Sequence, residues 1–145
     1  MSTMDQRKVD QLVAAALDVR SRAYAPYSGY AVGAALLAAD GRVFVGCNVE
    51  NASYGLGVCA ERNAVAAAVA AGCRQFAGIA VATASDPPAT PCGACRQVLG
   101  EFGDFPVVLA GAGGSRRSTT VGALLPDAFD GATLDAVVGD HETAP

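Results

Sequence analysis

Between residues 31 and 110 the chain alternates short apolar runs with helix-favouring stretches, and this alternation limits the fold more than any other feature. Residues 31–39 and 42–48 are strand-like and flank Asp40-Gly41, a two-residue signal for a tight hairpin. An Ala-rich helix is expected over 59–71, stopped by Gly72, then an apolar strand over 78–83. A loop over 85–91 holds three prolines, and helix 93–102 and strand 106–110 follow. Strand, helix, strand, helix, strand predicts parallel pairing with right-handed crossovers, and the opening hairpin makes the sheet mixed. Ahead of it, Val9, Leu12, Val13, Ala16, Leu17 and Val19 recur at helical spacing within 5–24. Residues 112–117 read as a Gly-rich turn, 118–121 as a last strand, and the chain from Leu124-Leu125-Pro126 onward as irregular. Ala66, Ala67, Ala70 and Ala71 read as a helix-packing face. The fold class is α/β, with helices covering a mixed central sheet.

At 145 residues the chain reads as a single domain over 1–145, and 52% hydrophobic residues supply a core without disulfides. A net charge of -4 disfavours a grip on polynucleotide phosphates, so no nucleic-acid partner is expected. No apolar run approaches the roughly 18 residues of a membrane span, and the first residues lack a signal-peptide core. No membrane partner is therefore expected, and the expected compartment is the cytoplasm. There, five cysteines point to metal binding or catalysis rather than to disulfides.

Cys59-Ala60-Glu61 opens one expected helix and Pro91-Cys92-Gly93-Ala94-Cys95 the next. In an open α/β sheet such strand-to-helix junctions converge on one crevice, so three thiols can face one zinc ion. Cys92 and Cys95 are adjacent on one helical face, and helix N-termini favour thiolates, the form that zinc binds. Three protein ligands leave a fourth tetrahedral position for water, the pattern of a catalytic site. Glu61 stands beside that opening, where a carboxylate can take and return protons. Three thiolates around Zn²⁺ leave one net negative charge, and Arg62 is the candidate cation to offset it. Arg96 reads as solvated. The bland alternative is a structural zinc module closed by Cys47 or Cys73, but both lie away from the two junctions and read as packing residues. His141, the only histidine, lies within the last five residues, so a Ser-His-Asp or Cys-His mechanism lacks its base. Gly111-Ala112-Gly113-Gly114 lacks the Lys-Ser/Thr of a phosphate loop.

The two cysteine motifs resemble those of the zinc nucleoside and nucleobase deaminases. More specifically the chain resembles the small homotetrameric cytidine deaminases. The matching stretches are Ala23-Tyr24-Ala25-Pro26-Tyr27-Ser28, Val32-Gly33-Ala34-Ala35-Leu36, Gly46-Cys47-Asn48-Val49-Glu50-Asn51-Ala52, Cys95-Arg96-Gln97-Val98 and Leu124-Leu125-Pro126, within residues 5–130. The resemblance implies a three-layer α/β/α cytidine deaminase-like fold. It also implies hydrolytic deamination of cytidine and deoxycytidine in pyrimidine salvage, with Cys59, Cys92 and Cys95 holding one zinc and Glu61 shuttling protons. Asn48 and Glu50 would bind the ribose, Tyr30 and Ala60 would line the nucleoside pocket, and Phe129 would reach a neighbouring subunit's base site. Tyr30 departs from the family's usual Phe, and its hydroxyl needs a partner. A site that pairs sugar hydroxyls is expected to reject free cytosine. The rival activity is deamination of another cytosine nucleoside, such as a blasticidin-type antibiotic.

Overall fold

Asp5 starts the first helix by accepting the Lys8 backbone N–H at 2.8 Å, and α1 runs Gln6–Arg20. The computed structural model describes residues 4–138, so His141 lies outside the described residues. Strands β1 (Gly33–Ala38) and β2 (Val43–Cys47) form the expected hairpin, but Leu37 stands opposite Val43 and Ala38 N donates to the Arg42 carbonyl at 2.8 Å, so residues 39–41 make a three-residue loop in place of the two-residue turn expected. Gly41 takes φ +94° in its turn, a left-handed conformation that glycine adopts without strain. Helix α2 (Ala60–Ala70), strand β3 (Phe76–Ala82), helix α3 (Gly93–Gly100) and strands β4 (Pro106–Ala110) and β5 (Arg116–Thr120) follow.

The strand order is β2-β1-β3-β4-β5. The parallel pairing expected throughout the middle of the chain occurs only between β3 and β4. Strands β2 and β3 do run in the same direction, but β1 lies between them and pairs antiparallel with both. The hairpin has already occupied the inner edge of β2, so the α2 crossover lands on the free edge of β1.

Alternation along β1 sorts the core into two layers. Ala35 and Leu37 pack with Leu12, Val13 and Ala16 of α1, whereas Ala34, Leu36 and Ala38 face Ala60, Ala64, Val65 and Ala68 of α2. The mixed sheet thus has helices on both faces, the expected α/β/α layering. Ala66, Ala67, Ala70 and Ala71 are exposed, so the packing face of α2 is not the one expected. In an Ala-rich helix no face is marked by residue type; the phase is set by Gly46, against which α2 packs, and by Asn63, whose Nδ2 donates to the Cys47 carbonyl at 2.8 Å.

A Cβ on Gly46 would run into the Ala60 carbonyl oxygen and lie 2.5 Å from the Ala64 nitrogen. Both are backbone atoms, so no rotamer change relieves the clash. Gly46→Ala should therefore destabilise by about 1–3 kcal/mol in denaturant unfolding and lower activity, because it displaces α2. An unchanged midpoint and rate would contradict this packing.

The last strand begins at Arg116 rather than Ser118 and ends at Thr120. The C-terminal segment expected to be irregular contains two helices, α4 (Val121–Leu124) and α5 (Gly131–Val138). Thr120 caps α4 through Ala123 N at 3.1 Å, and Asp130 accepts the Thr133 N–H at 2.8 Å at the start of α5. No residue of α5 is buried, and its apolar residues Leu134, Val137 and Val138, at i, i+3 and i+4, are exposed.

Candidate active site

Cys59 and Cys92 occupy equivalent positions, each the extended N-cap residue of its helix, α2 and α3. Neither side chain caps a helix N–H, so both sulfurs are free for other partners. Cys95, one turn into α3, is fully buried. The Cys59 and Cys92 sulfurs are 3.8 Å apart, Cys92 and Cys95 3.5 Å, and all three lie within 4.8 Å of one another. Sulfurs on a tetrahedral zinc with bonds of ~2.3 Å stand about 3.8 Å apart, so the cluster fits that ion. Among the described residues it is the one His, Cys, Asp and Glu group gathered closely enough to hold a metal.

Cys59 and Cys95 are driven in opposite directions. Cys59 is drawn down to about 5, first by hydrogen bonding with the Cys95 thiol and then by Arg62. Cys95 is pushed up as the proton-holding partner of that pair and by its burial. Arg62 Nη2 lies 3.6 Å from the Cys59 sulfur, the position expected for a cation offsetting thiolate charge. Its Nε is buried with no hydrogen-bond partner, so the guanidinium stays at the sulfur without full satisfaction of its own donors. Arg62→Gln should lower turnover by ~10- to 100-fold with little change in unfolding midpoint, through lost support of a ligand. Equal loss of stability and activity would make Arg62 a packing residue.

Glu61 sits in the first turn of α2 and is only 4% exposed. Burial raises its carboxyl above the usual range, against the opposing pull of its own backbone N–H and the Cys95 thiol. A carboxyl so placed can hold a proton nearer neutrality than an exposed one.

Glu61, Ala60, Cys59 and Cys92 line a cleft of about 290 Å³ whose other wall includes Tyr30, Asn48 and Glu50. Asn48 and Glu50 follow β2 and are fixed by the chain around them. Asn48 Oδ1 accepts from Val32 N at 2.8 Å, and its Nδ2 donates to the Tyr30 carbonyl at 2.8 Å. Glu50 accepts the Tyr27 and Ser28 N–H groups at 3.0 Å each and pairs with the Ser28 hydroxyl. The Ser28 hydroxyl and backbone N–H groups hold the Glu50 carboxyl below the usual range, so it is ionised at neutral pH. Tyr30 finds its hydroxyl partner in Ser85 Oγ at 2.6 Å, which ties the cleft wall to the loop before Cys92.

Phe129 is not among the residues lining this cleft; it is 59% exposed, and its carbonyl accepts from Gln97 Nε2 at 2.8 Å. Cys47 closes β2, and Cys73 is buried beside Arg42 and Asp40, both apart from the three-sulfur cluster. Arg96 departs from the solvated residue expected: it is half-buried, and each of its three guanidinium nitrogens donates a hydrogen bond. Thr83, not expected in the site, is a buried cleft residue whose Oγ1 accepts from Ser85 N at 3.3 Å. A threonine closing the apolar run 78–83 is its one signal in the sequence.

Residues 6–111 match the family model described as "Cytidine and deoxycytidylate deaminase zinc-binding region". The chain belongs to that family. A cytidine deaminase of Sporosarcina psychrophila is 49% identical over 83% of this chain and 90% of its own length. A probable cytidine deaminase of Dictyostelium discoideum is 45% identical over 96% and 95%. The 1.6 Å crystal structure of cytidine deaminase from Burkholderia pseudomallei superposes with a TM-score of 0.81 at 54% identity, covering 87% of this chain and all of that one. The fold is therefore that of the cytidine deaminases, and the zinc-binding region that defines the family includes all three clustered cysteines.

Proposed function

We propose that the chain hydrolyses cytidine and deoxycytidine to uridine and deoxyuridine with release of ammonia. The observation that carries this reading is one cleft that joins a buried carboxyl, Glu61, to three clustered thiols and to Asn48 and Glu50. Cys59, Cys92 and Cys95 would hold zinc, which when bound lowers the pKa of a water molecule and makes it a nucleophile near neutral pH. Glu61 is placed to take a proton from attacking water and deliver it to N3 of the pyrimidine, and then to carry the second proton of that water to the departing amino group. Water adds at C4, the C4–N4 bond breaks, and the ring is left with a carbonyl oxygen. Asn48 and Glu50 hold the sugar, while Tyr30 and Ala60 wall the base.

The family description includes deoxycytidylate, and the charge of the cleft argues for the nucleoside instead. Its described lining residues bring the carboxylates Glu50 and Glu61 and no Lys or Arg, so a 5′-phosphate would enter without a counter-charge. An ultraviolet assay with cytidine, deoxycytidine and deoxycytidylate in parallel tests this. Conversion of both nucleosides with poor use of the monophosphate is expected; equal use of the monophosphate, or no conversion of cytidine, would overturn it.

The working unit on this reading is one domain over residues 1–145, assembled as a cytoplasmic homotetramer that serves pyrimidine salvage. Exposed Phe129, Leu134 and Val137 at the C-terminal end, with no residue of α5 buried, support apolar surface being covered by further copies. Phe129 then enters the neighbour's nucleoside site, where stacking on the base contributes about 1–3 kcal/mol. Phe129→Ala should leave the assembly intact by light scattering and raise KM ~5- to 150-fold. A fully active monomer would contradict the shared site.

A further inference from the structure

Arg96 follows Cys95 directly in α3, and its guanidinium reaches two separate segments. Nε donates to the Pro91 carbonyl at 2.8 Å, Nη2 to Thr90 Oγ1 at 2.9 Å and Nη1 to the Leu124 carbonyl at 2.7 Å. Thr90 and Pro91 are the two residues before Cys92, and Leu124 ends α4. We propose that Arg96 is a positioning residue for the metal centre, holding the Thr90–Cys92 turn against α4 so that the Cys92 sulfur is preset against its partners. The proposal rests on the reading of the three cysteines as zinc ligands.

The three sulfurs differ in how they are anchored. Cys95 is fully buried within α3 and Cys59 is half-buried beside Arg62, whereas Cys92 is exposed and its side chain caps nothing. The segment leading to Cys92 is a turn-rich loop without regular structure, which must be ordered for the thiolate to meet the metal. Arg96 orders it in advance. Its planar fork serves three acceptors in fixed directions, which the single ammonium of a lysine cannot do. Because one arm ends on Leu124, ligand placement also depends on the docking of α4, and Gln97 Nε2 extends the same connection to the Phe129 carbonyl.

Zinc affinity, measured by competition with a chromogenic chelator, separates this role from a general packing role. It is read beside the thermal unfolding of metal-free and zinc-loaded protein for wild type, Arg96→Gln, Arg96→Lys and Thr90→Val. Arg96→Gln should weaken zinc binding ~10- to 100-fold and shrink the rise in Tm that zinc produces. Arg96→Lys should recover part of the affinity, and Thr90→Val, which loses one acceptor, should show a smaller loss. Variants that bind zinc as tightly as wild type, whatever their metal-free Tm, would overturn the proposal. If Arg96→Gln does not fold, unchanged affinity in both Arg96→Lys and Thr90→Val overturns it equally. Failure of the wild type itself to bind zinc through the three cysteines would instead sink the ligand reading beneath it, and the same titration shows which has failed.

Discussion

Glu61→Gln should keep the fold and the zinc while losing ~10² to 10⁴ in turnover. Glutamine matches the shape of glutamate in a position only 4% exposed, so packing is preserved, but an amide cannot take up and return a proton. The same substitution has an opposite effect on stability in the metal-free protein. Burial raises the Glu61 carboxyl in the folded state, so folding favours its protonated form, and stability is lost as pH rises above the usual carboxylate range. Metal-free Glu61→Gln should therefore be more stable than wild type at neutral pH, with the difference vanishing as pH falls below that range. Paired measurements of kcat, zinc content and denaturation against pH check both signs. Near-normal turnover would remove Glu61 from the mechanism.

Free cytosine should be used ~30- to 2,000-fold less efficiently than cytidine in kcat/KM. The estimate comes from losing one hydrogen bond to ionised Glu50, about 1.5–3 kcal/mol, and one to neutral Asn48, about 0.5–1.5 kcal/mol. A site whose polar groups were left orphaned would discriminate by up to ~10⁴ to 10⁵. Here the penalty is smaller, because Asn48 is already bonded to Val32 and Tyr30, and Glu50 to Tyr27 and Ser28, whether or not a sugar is present. Those internal bonds set the two side chains in advance rather than waiting on the ligand. Equal efficiency for cytosine and cytidine would remove both residues from substrate recognition.

Cys59, Cys92 and Cys95 are legible in the sequence because their placement is local: two helix-opening residues and one further residue a turn along. Glu61 and Arg62 follow from the same helix start. The Asp40-Gly41 hairpin is legible because turn residues mark it locally, but its register is not: Leu37 pairs with Val43 across a three-residue loop, where a two-residue turn would pair it with Phe44. The position of β1 between β2 and β3 depends instead on which sheet edge is free when the crossover returns, and helical periodicity carries no record of that. Arg96 is opaque for a related reason. One of its acceptors is the carbonyl of Leu124, a backbone atom 28 positions away, so residue type at 124 gives no hint of the contact. Helix α5 spans only eight residues, so its signal is short: Leu134, Val137 and Val138 at helical spacing and the Asp130 cap at its start. The core face of α2 is not legible because alanine occupies both its buried and its exposed sides.

Zinc content and cytidine conversion measured together on the purified chain, before and after chelation and after zinc is restored, test the three-thiol site most directly. One zinc per chain is expected, with deamination lost on its removal, recovered on its return, and both properties lost in Cys92→Ala. Cytidine conversion that persists in metal-free protein, or Cys92→Ala retaining full zinc and normal turnover, would contradict the account.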